Sequence, residues 1–444
     1  MIINLGGVNI MKRLTKKLLI ASMTVLACLG LTACSGNKSA DTKDGKVTIR
    51  FSWWGNDDRH KDTLKAIKAF EKANPKIKVK AEYSGWDGFD QKMATQISGG
   101  TEADVMQINY DWYLNFSPKG EGFADLNKYK KIIDLSGYSD DILKAGEING
   151  KLNGIPHGEN TRVIAVNKDI LNKYGITEYP KTWTGWEEVA KKLPDGYYPV
   201  EFSTFLDIIC YITQKTGKSF LDEEGNINYS QSELKDGFDW YQQMVDSGVS
   251  PSRKWVMDTV GHDSIATTKE FLNGKLTGFF DWTAVLNSFS TNLKQTGMTL
   301  DIPPFPEVEG AKSDGAIKKP TMLFSMSKHS EHPKEAAKFL NFILNDPEGV
   351  KAMGTSRGLP VNTNAQKILE ENDQIDDITK KAISYSNATK GVMESRYMEL
   401  SQIATAYNDI TDSFGVGKIN SKEAAKQIIT KVNAAVKQVK SKAK

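Results

Sequence analysis

The stretch Phe51-Ser52-Trp53-Trp54-Gly55-Asn56-Asp57-Asp58-Arg59-His60 sets two adjacent tryptophans directly before amide, carboxylate and guanidinium groups. Tryptophan is costly to expose, and clustered Asn, Asp and Arg are costly to bury. A place that wants both is a concave site for a polar ligand with flat apolar faces. A sugar ring is such a ligand. Its C–H faces stack on an aromatic ring, and its equatorial hydroxyls bond to amides, carboxylates and arginine, the charged partners making the stronger bonds. On this logic Trp54, Asn56 and Asp57 are candidate contacts. Strand alternation sends one of Trp53 and Trp54 into the core, and the alternation alone does not say which. Asp58 and Arg59 serve equally well to cap the next helix or to pair with each other. Two further clusters share this chemistry: Trp86 in Tyr83–Gly88, and Asn109, Asp111 and Trp112 in the run Asn109-Tyr110-Asp111-Trp112. For each, the alternative is packing under a neighbouring loop.

These residues need elements to place them. Residues 47–54 predict a strand. Residues 62–73 predict a helix with Leu64, Ile67 and Phe70 on one face, ended by Asn74-Pro75. Residues 77–83 alternate as a half-buried strand, 89–98 read as a helix, and 104–109 as a third strand. This βαβαβ start implies a mostly parallel sheet, whose ligands sit beyond the carboxyl ends of the strands. Trp54 and Asn109 both stand at such ends, so topology alone brings the clusters to one rim. A second α/β region follows Gly154-Ile155-Pro156: strands over 162–167 and 275–280, and helices over 186–193, 232–247, 333–344 and 421–439.

At 444 residues the chain is too long for one core, and two domains are expected. The composition, 39% hydrophobic and 25% charged, is that of an ordinary globular protein. The first segment belongs to no fold. Lys12, Arg13, Lys16 and Lys17 precede an apolar run from Leu18 to Ala33, which ends in Leu31-Thr32-Ala33-Cys34. This pattern is identified as a bacterial lipoprotein signal cleaved before Cys34, whose thiol would carry the lipid; a plain secretory signal or an uncleaved anchor is the alternative. Met11 is the expected start. Residues 34–45 would form a flexible polar tether. The formal charge of +3 includes four basic and no acidic residues in 1–33, so the remainder carries −1. Nothing here suggests a nucleic-acid partner. Cys210, in an apolar run, reads as a buried core residue outside any disulfide framework.

Several apparent catalytic motifs fail on context. Gly354-Thr355-Ser356-Arg357-Gly358 matches G-x-S-x-G, but a nucleophile elbow needs a strand before it and a helix after. A helix-like run, 347–353, precedes it, and Leu359-Pro360 follows. His329-Ser330-Glu331-His332 lacks zinc-ligand spacing, and Asp222-Glu223-Glu224-Gly225-Asn226 lacks the EF-hand pattern. No cofactor or metal is expected.

Longer motifs carry a resemblance. Phe70-Glu71-Lys72-Ala73-Asn74-Pro75-Lys76-Ile77-Lys78-Val79 resembles a run in extracellular solute-binding proteins of carbohydrate ABC transporters. Asn149–Pro156, Val166–Leu171 and Pro180-Lys181-Thr182-Trp183 are similar to later motifs of that family, in the same order. The resemblance implies an α/β, two-lobed periplasmic-binding-protein-like fold of type II, with mostly parallel sheets flanked by helices and a hinge between lobes. Residues 46–156 and 315–360 would form the first lobe, and 157–314 and 361–444 the second. Crossings are expected near 156–161, near 302–319 and after Leu359-Pro360. The family also implies further contacts: Trp282 at a strand end, Arg357 on a return loop, and Tyr397 before a C-terminal helix; at the crossing, Glu159 or Asn160 is placed either to reach ligand from the hinge or to form a solvated turn. Implied with them are a monomer, an oligosaccharide ligand, ABC permease subunits as partners, and a membrane reached through the lipid anchor. An exported glycoside hydrolase using carboxylates such as Asp57, Asp111 or Glu159 is the rival reading. A glycan-sensing or adhesive accessory lipoprotein is a third.

Overall fold

A computed structural model describes residues 45–442 apart from 203, 262 and 263. The signal, the tether and Cys34 lie outside the described residues. Strand β1 (Val47–Trp54) is followed by helix α1 (Asp57–Ala73), strand β2 (Ile77–Ser84), helix α2 (Phe89–Ser98) and strand β3 (Val105–Ile108). Helix α1 forms because Asn56 caps it: its Oδ1 accepts the Arg59 N–H at 3.1 Å, and Asp57 and Asp58 complement the positive end of the helix dipole. Ala66, Ile67 and Phe70 turn inward, and Asn74 ends the helix just before Pro75. Strand β1 pairs in parallel with both β2 and β3.

Two long strands join the halves. Strand β4 (Ile155–Asn167) runs the length of the molecule, and strand β5 (Gly278–Trp282) pairs with its second half. The short strand β6 (Leu300–Asp301) adds to its end. Strand β7 (Ile317–Met326) returns antiparallel beside the first half of β4 and also pairs with β3. Strand β8 (Val392–Met393) lies parallel to the start of β7. The result is one eight-stranded mixed sheet. The sequence predicts mostly parallel pairing, which holds for β1, β2 and β3. In the second half β5, β6 and β7 are antiparallel, because each pairs with the long crossing strand β4 and runs against it.

The packing divides at β4 and β7. Ile49, Phe51, Trp53, Ile67, Phe70, Leu152, Phe324, Phe339 and Leu340 build one core, which defines the first lobe. Ile164, Trp183, Trp186, Phe202, Phe205, Phe238, Phe280, Ile403 and Ile428 build another on one face of the second half's sheet, and Cys210 is fully buried in it. Val163, Ala165, Phe271, Phe279 and Phe289 cover the opposite face. At the crossing β4 is irregular, with register shifts on either side of Gly158. A Cβ there would lie 2.6 Å from the Leu359 carbonyl oxygen and 2.7 Å from Thr321 Oγ1, so only glycine fits.

The expected boundary at 360 moves. Asn362 donates to the Leu344 carbonyl at 3.0 Å, the Thr363 N–H reaches the Gly137 carbonyl at 2.9 Å, and Ala365 and Leu369 pack on Val350. The helix over 363–371 therefore belongs with the first lobe. The chain re-enters the second with the helix over 377–388, whose Ile378 and Ala382 join the core around Phe289.

Candidate functional site

The carboxyl ends of β1 and β3 carry an aromatic cluster. The Trp54 ring lies 5.3 Å from Trp86, 5.0 Å from Trp112 and 5.6 Å from Phe89, and Trp86 stacks on Trp112 at 5.6 Å. Trp54 and Trp112 are each 6% exposed, whereas Trp86 is 52% exposed. Trp54 and Trp112 are thus the base of the platform, and Trp86 presents the open ring. Trp53 takes the core position, fully buried between Phe51 and Tyr83, with its N–H on His60 Nδ1 at 3.1 Å.

Beside the platform, Asn109 donates to Asp111 Oδ1 at 2.6 Å. Burial pushes the Asp111 carboxyl up to about 6; the Asn109 bond and Lys319 oppose this, and Glu399 adds to it. Those neighbours belong to the other half, so Asp111 faces across the crossing strands.

The facing wall follows from strand alternation. Asn160 on β4 is opposite Lys319 on β7, and Arg162 is opposite Trp282 on β5. The Lys319 ammonium lies 4.5 Å from the Trp282 ring centre and pairs with Glu399 at 2.5 Å. The Arg162 guanidinium lies 5.3 Å from the same ring and is held by Asp207, by Asp281 at 3.4 Å and by the Phe280 carbonyl at 2.7 Å. Buried Glu394 lies near Lys319 and Glu399, and one of its oxygens has no hydrogen-bond partner. Burial, reinforced by Glu399, raises it to about 8, so it is a neutral acid at neutral pH.

The expected contacts divide accordingly. Asp111 on one wall, and Asn160 and Trp282 on the other, are brought together around Lys319, and Trp86 stands on the aromatic platform next to Asp111. Asn56 uses its carbonyl oxygen in capping, and Asp57 is exposed in the first turn of α1. Three expectations change. Glu159 stands on the opposite face of β4 from Asn160, because adjacent strand residues point to opposite faces, and pairs with Lys318 at 3.2 Å in the lining of a cavity of about 660 Å³ that Tyr110 and Glu394 also line. Arg357 is 2% exposed inside the first lobe, bonded to Gln107 Oε1 at 2.8 Å and Thr63 Oγ1 at 2.7 Å. Tyr397 is 8% exposed in the second lobe's core, where Gly225 leaves room for its ring. Lys319, Glu394 and Glu399 escaped the sequence reading. Paired lysines before Pro320, in an otherwise apolar strand, were the available signal for Lys319.

Residues 57–350 match the family model for the bacterial extracellular solute-binding protein, and the chain belongs to that family. Among curated relatives, the galactooligosaccharide-binding protein of Bacillus subtilis is 23% identical over 94% of this chain and 96% of its own length. The maltodextrin-binding protein of the same organism is 22% identical over 96% and 98%. Among solved structures, a periplasmic oligogalacturonide binding protein from Yersinia enterocolitica is 35% identical, with a TM-score of 0.80 over 88% of this chain and all (100%) of that one. A periplasmic solute binding protein from Pectobacterium atrosepticum is 36% identical, with a TM-score of 0.78 over 88% and 99%.

Proposed function

We propose that this protein is a lipid-anchored receptor, held by Cys34 outside the membrane, which binds an oligosaccharide and delivers it to the permease of an ABC importer. The observation that carries the reading is the meeting of two walls. Asp111 from one half faces Lys319 from the other, beside Asn160 and Trp282, and the Trp54–Trp86–Trp112 cluster adjoins Asp111 in the chain. An aromatic ring on each side, exposed at Trp86 and half-buried at Trp282, suits a ligand of more than one sugar ring. Binding drives closure because only the closed arrangement lets both walls touch the ligand. The relatives' names support a glycan, and they include neutral and acidic oligosaccharides. The family is one of binding proteins, which tells against the hydrolase reading.

A thermal-shift screen of residues 46–444 against oligosaccharides tests the reading. A ligand at about 100 times its dissociation constant adds about 2.7 kcal/mol, which raises the melting temperature by a few degrees. The expected result is a sugar-specific shift with the sugar recovered intact. Cleaved sugar, or no shift with any glycan, would overturn it.

A further inference from the structure

Of the six arginines among the described residues, three have a carboxylate. Arg50 pairs with Glu82, Arg162 with Asp207 and Asp281, and Arg253 with Asp412. Arg396 instead holds the Ala145 and Glu147 carbonyls. Arg59 and Arg357 differ. Both sit under the carboxyl end of β1, and neither has a carboxylate within ion-pair distance among the described residues. Arg59 donates Nε to the Ser356 carbonyl at 3.1 Å and Nη1 to the Trp54 carbonyl at 3.2 Å. No protein acceptor is assigned to its Nη2 among the described residues, and the side chain is only half-buried. Arg357 lies behind it, wholly inside, bonded only to the neutral groups of Gln107, Thr63 and Met353. The Gln107 amide in turn donates to the Trp54 carbonyl at 3.3 Å, so the two guanidiniums share one network.

Burial and mutual repulsion lower the pKa of Arg357, and burial lowers that of Arg59. Of the neighbouring carboxylates, Asp62 acts weakly on Arg357 and Asp57 acts on His60. Asp58 is exposed in the first turn of α1. His157, buried behind them against Phe324, is neutral. A cation taken from water without a counter-ion is unfavourable unless something else supplies the negative charge. The positive end of α1 adds to the same field.

We propose that the ligand is an acidic oligosaccharide, and that Arg59 receives the carboxylate of one of its uronic acid rings. Arg357 is a positioning residue, fixing Arg59 through Gln107 and the Trp54 carbonyl and adding charge from behind. This rests on the oligosaccharide-receptor reading above and narrows it to a charge class. Arg59 presents planar N–H donors at the strand end, on the backbone carbonyl of Trp54, and a carboxylate accepts that geometry where a hydroxyl supplies no charge.

Calorimetric titration of residues 46–444, whose cores are complete within that span, decides it. The probes are digalacturonate and the uncharged galactose disaccharide of the same linkage. Digalacturonate is expected to bind at least about 100-fold tighter, a preference of about 2.7 kcal/mol. Arg59→Gln should bring the two affinities close together. Because that variant also loses bonds to two carbonyls, a second arm uses the unaltered protein: raising the salt from low to high concentration should weaken digalacturonate several-fold more than the neutral sugar. Equal or tighter binding of the neutral sugar, equal salt dependence, or an Arg59→Gln variant that keeps the acidic preference would overturn the assignment. Neutral oligosaccharide binding alone sinks this proposal and leaves the receptor standing. Absence of binding to every glycan sinks both.

Discussion

Asp111 shows how one side chain trades stability against binding. Its folded pKa of about 6 lies above the ordinary carboxylate value, chiefly because burial penalises the charge. Folding therefore favours the protonated form. The stabilisation is full below the unfolded value of about 4 and is lost as pH rises through about 6. At pH 8 the buried carboxylate costs roughly 1–3 kcal/mol. Asp111→Asn should recover about that much in urea unfolding at pH 8 and nothing at pH 3.5, while weakening glycan binding at pH 8. A variant equally stable at both pH values relative to the parent would contradict this. The sequence made the chemistry at this scale legible, because residue types announce it: indole rings beside amides and carboxylates. It did not give exposure. Nothing in Trp-Trp says that Trp54 lies beneath Trp86, since that depends on where the loop after β2 folds back. Arg357 was misjudged for the same reason: its partners Gln107 and Thr63 are hundreds of residues away in the chain.

Among elements, the local ones were readable and the long-range ones were not. Periodicity, Asn74-Pro75 and Gly99-Gly100 delimit α1 and α2, because caps and breakers act within a turn. Strand β4 was read only over its second half. Pro156, Gly158, Glu159 and Asn160 look like a turn, yet β7 pairs with them across a register shift. Leu359-Pro360 reads as a boundary, whereas Asn362 and Leu369 still pack on the first lobe. The irregularity at Gly158 is where two crossing strands can bend. Gly158→Ala would push a methyl into the Leu359 carbonyl and the Thr321 hydroxyl, and should destabilise by about 1–3 kcal/mol in denaturant unfolding. It should also shift the ligand dissociation constant, since the strain sits at the bend. Unchanged stability would show that the Leu359 loop yields freely.

For the molecule as a whole, the two halves are coupled through Glu394. It lies where β8 meets the end of β3, and the Tyr110 hydroxyl donates to its backbone carbonyl at 3.3 Å. With a folded pKa raised to about 8 by burial, its contribution is fully present below the unfolded value of about 4.5 and is lost as pH rises through about 8. The melting temperature of the parent should therefore fall between about pH 5 and 8 and level off above, and Glu394→Gln should flatten that decline without lowering stability at pH 6.5. A parent and variant with parallel pH profiles would remove Glu394 from the account. The central claim is that an aromatic ring from each half grips one ligand. The measurement that tests it most directly is calorimetric titration of Trp86→Ala and Trp282→Ala with the oligosaccharide that binds the parent. Each variant should fold and lose at least about tenfold in affinity, or about 1.4 kcal/mol. Parental affinity in both would place the ligand elsewhere and contradict the account.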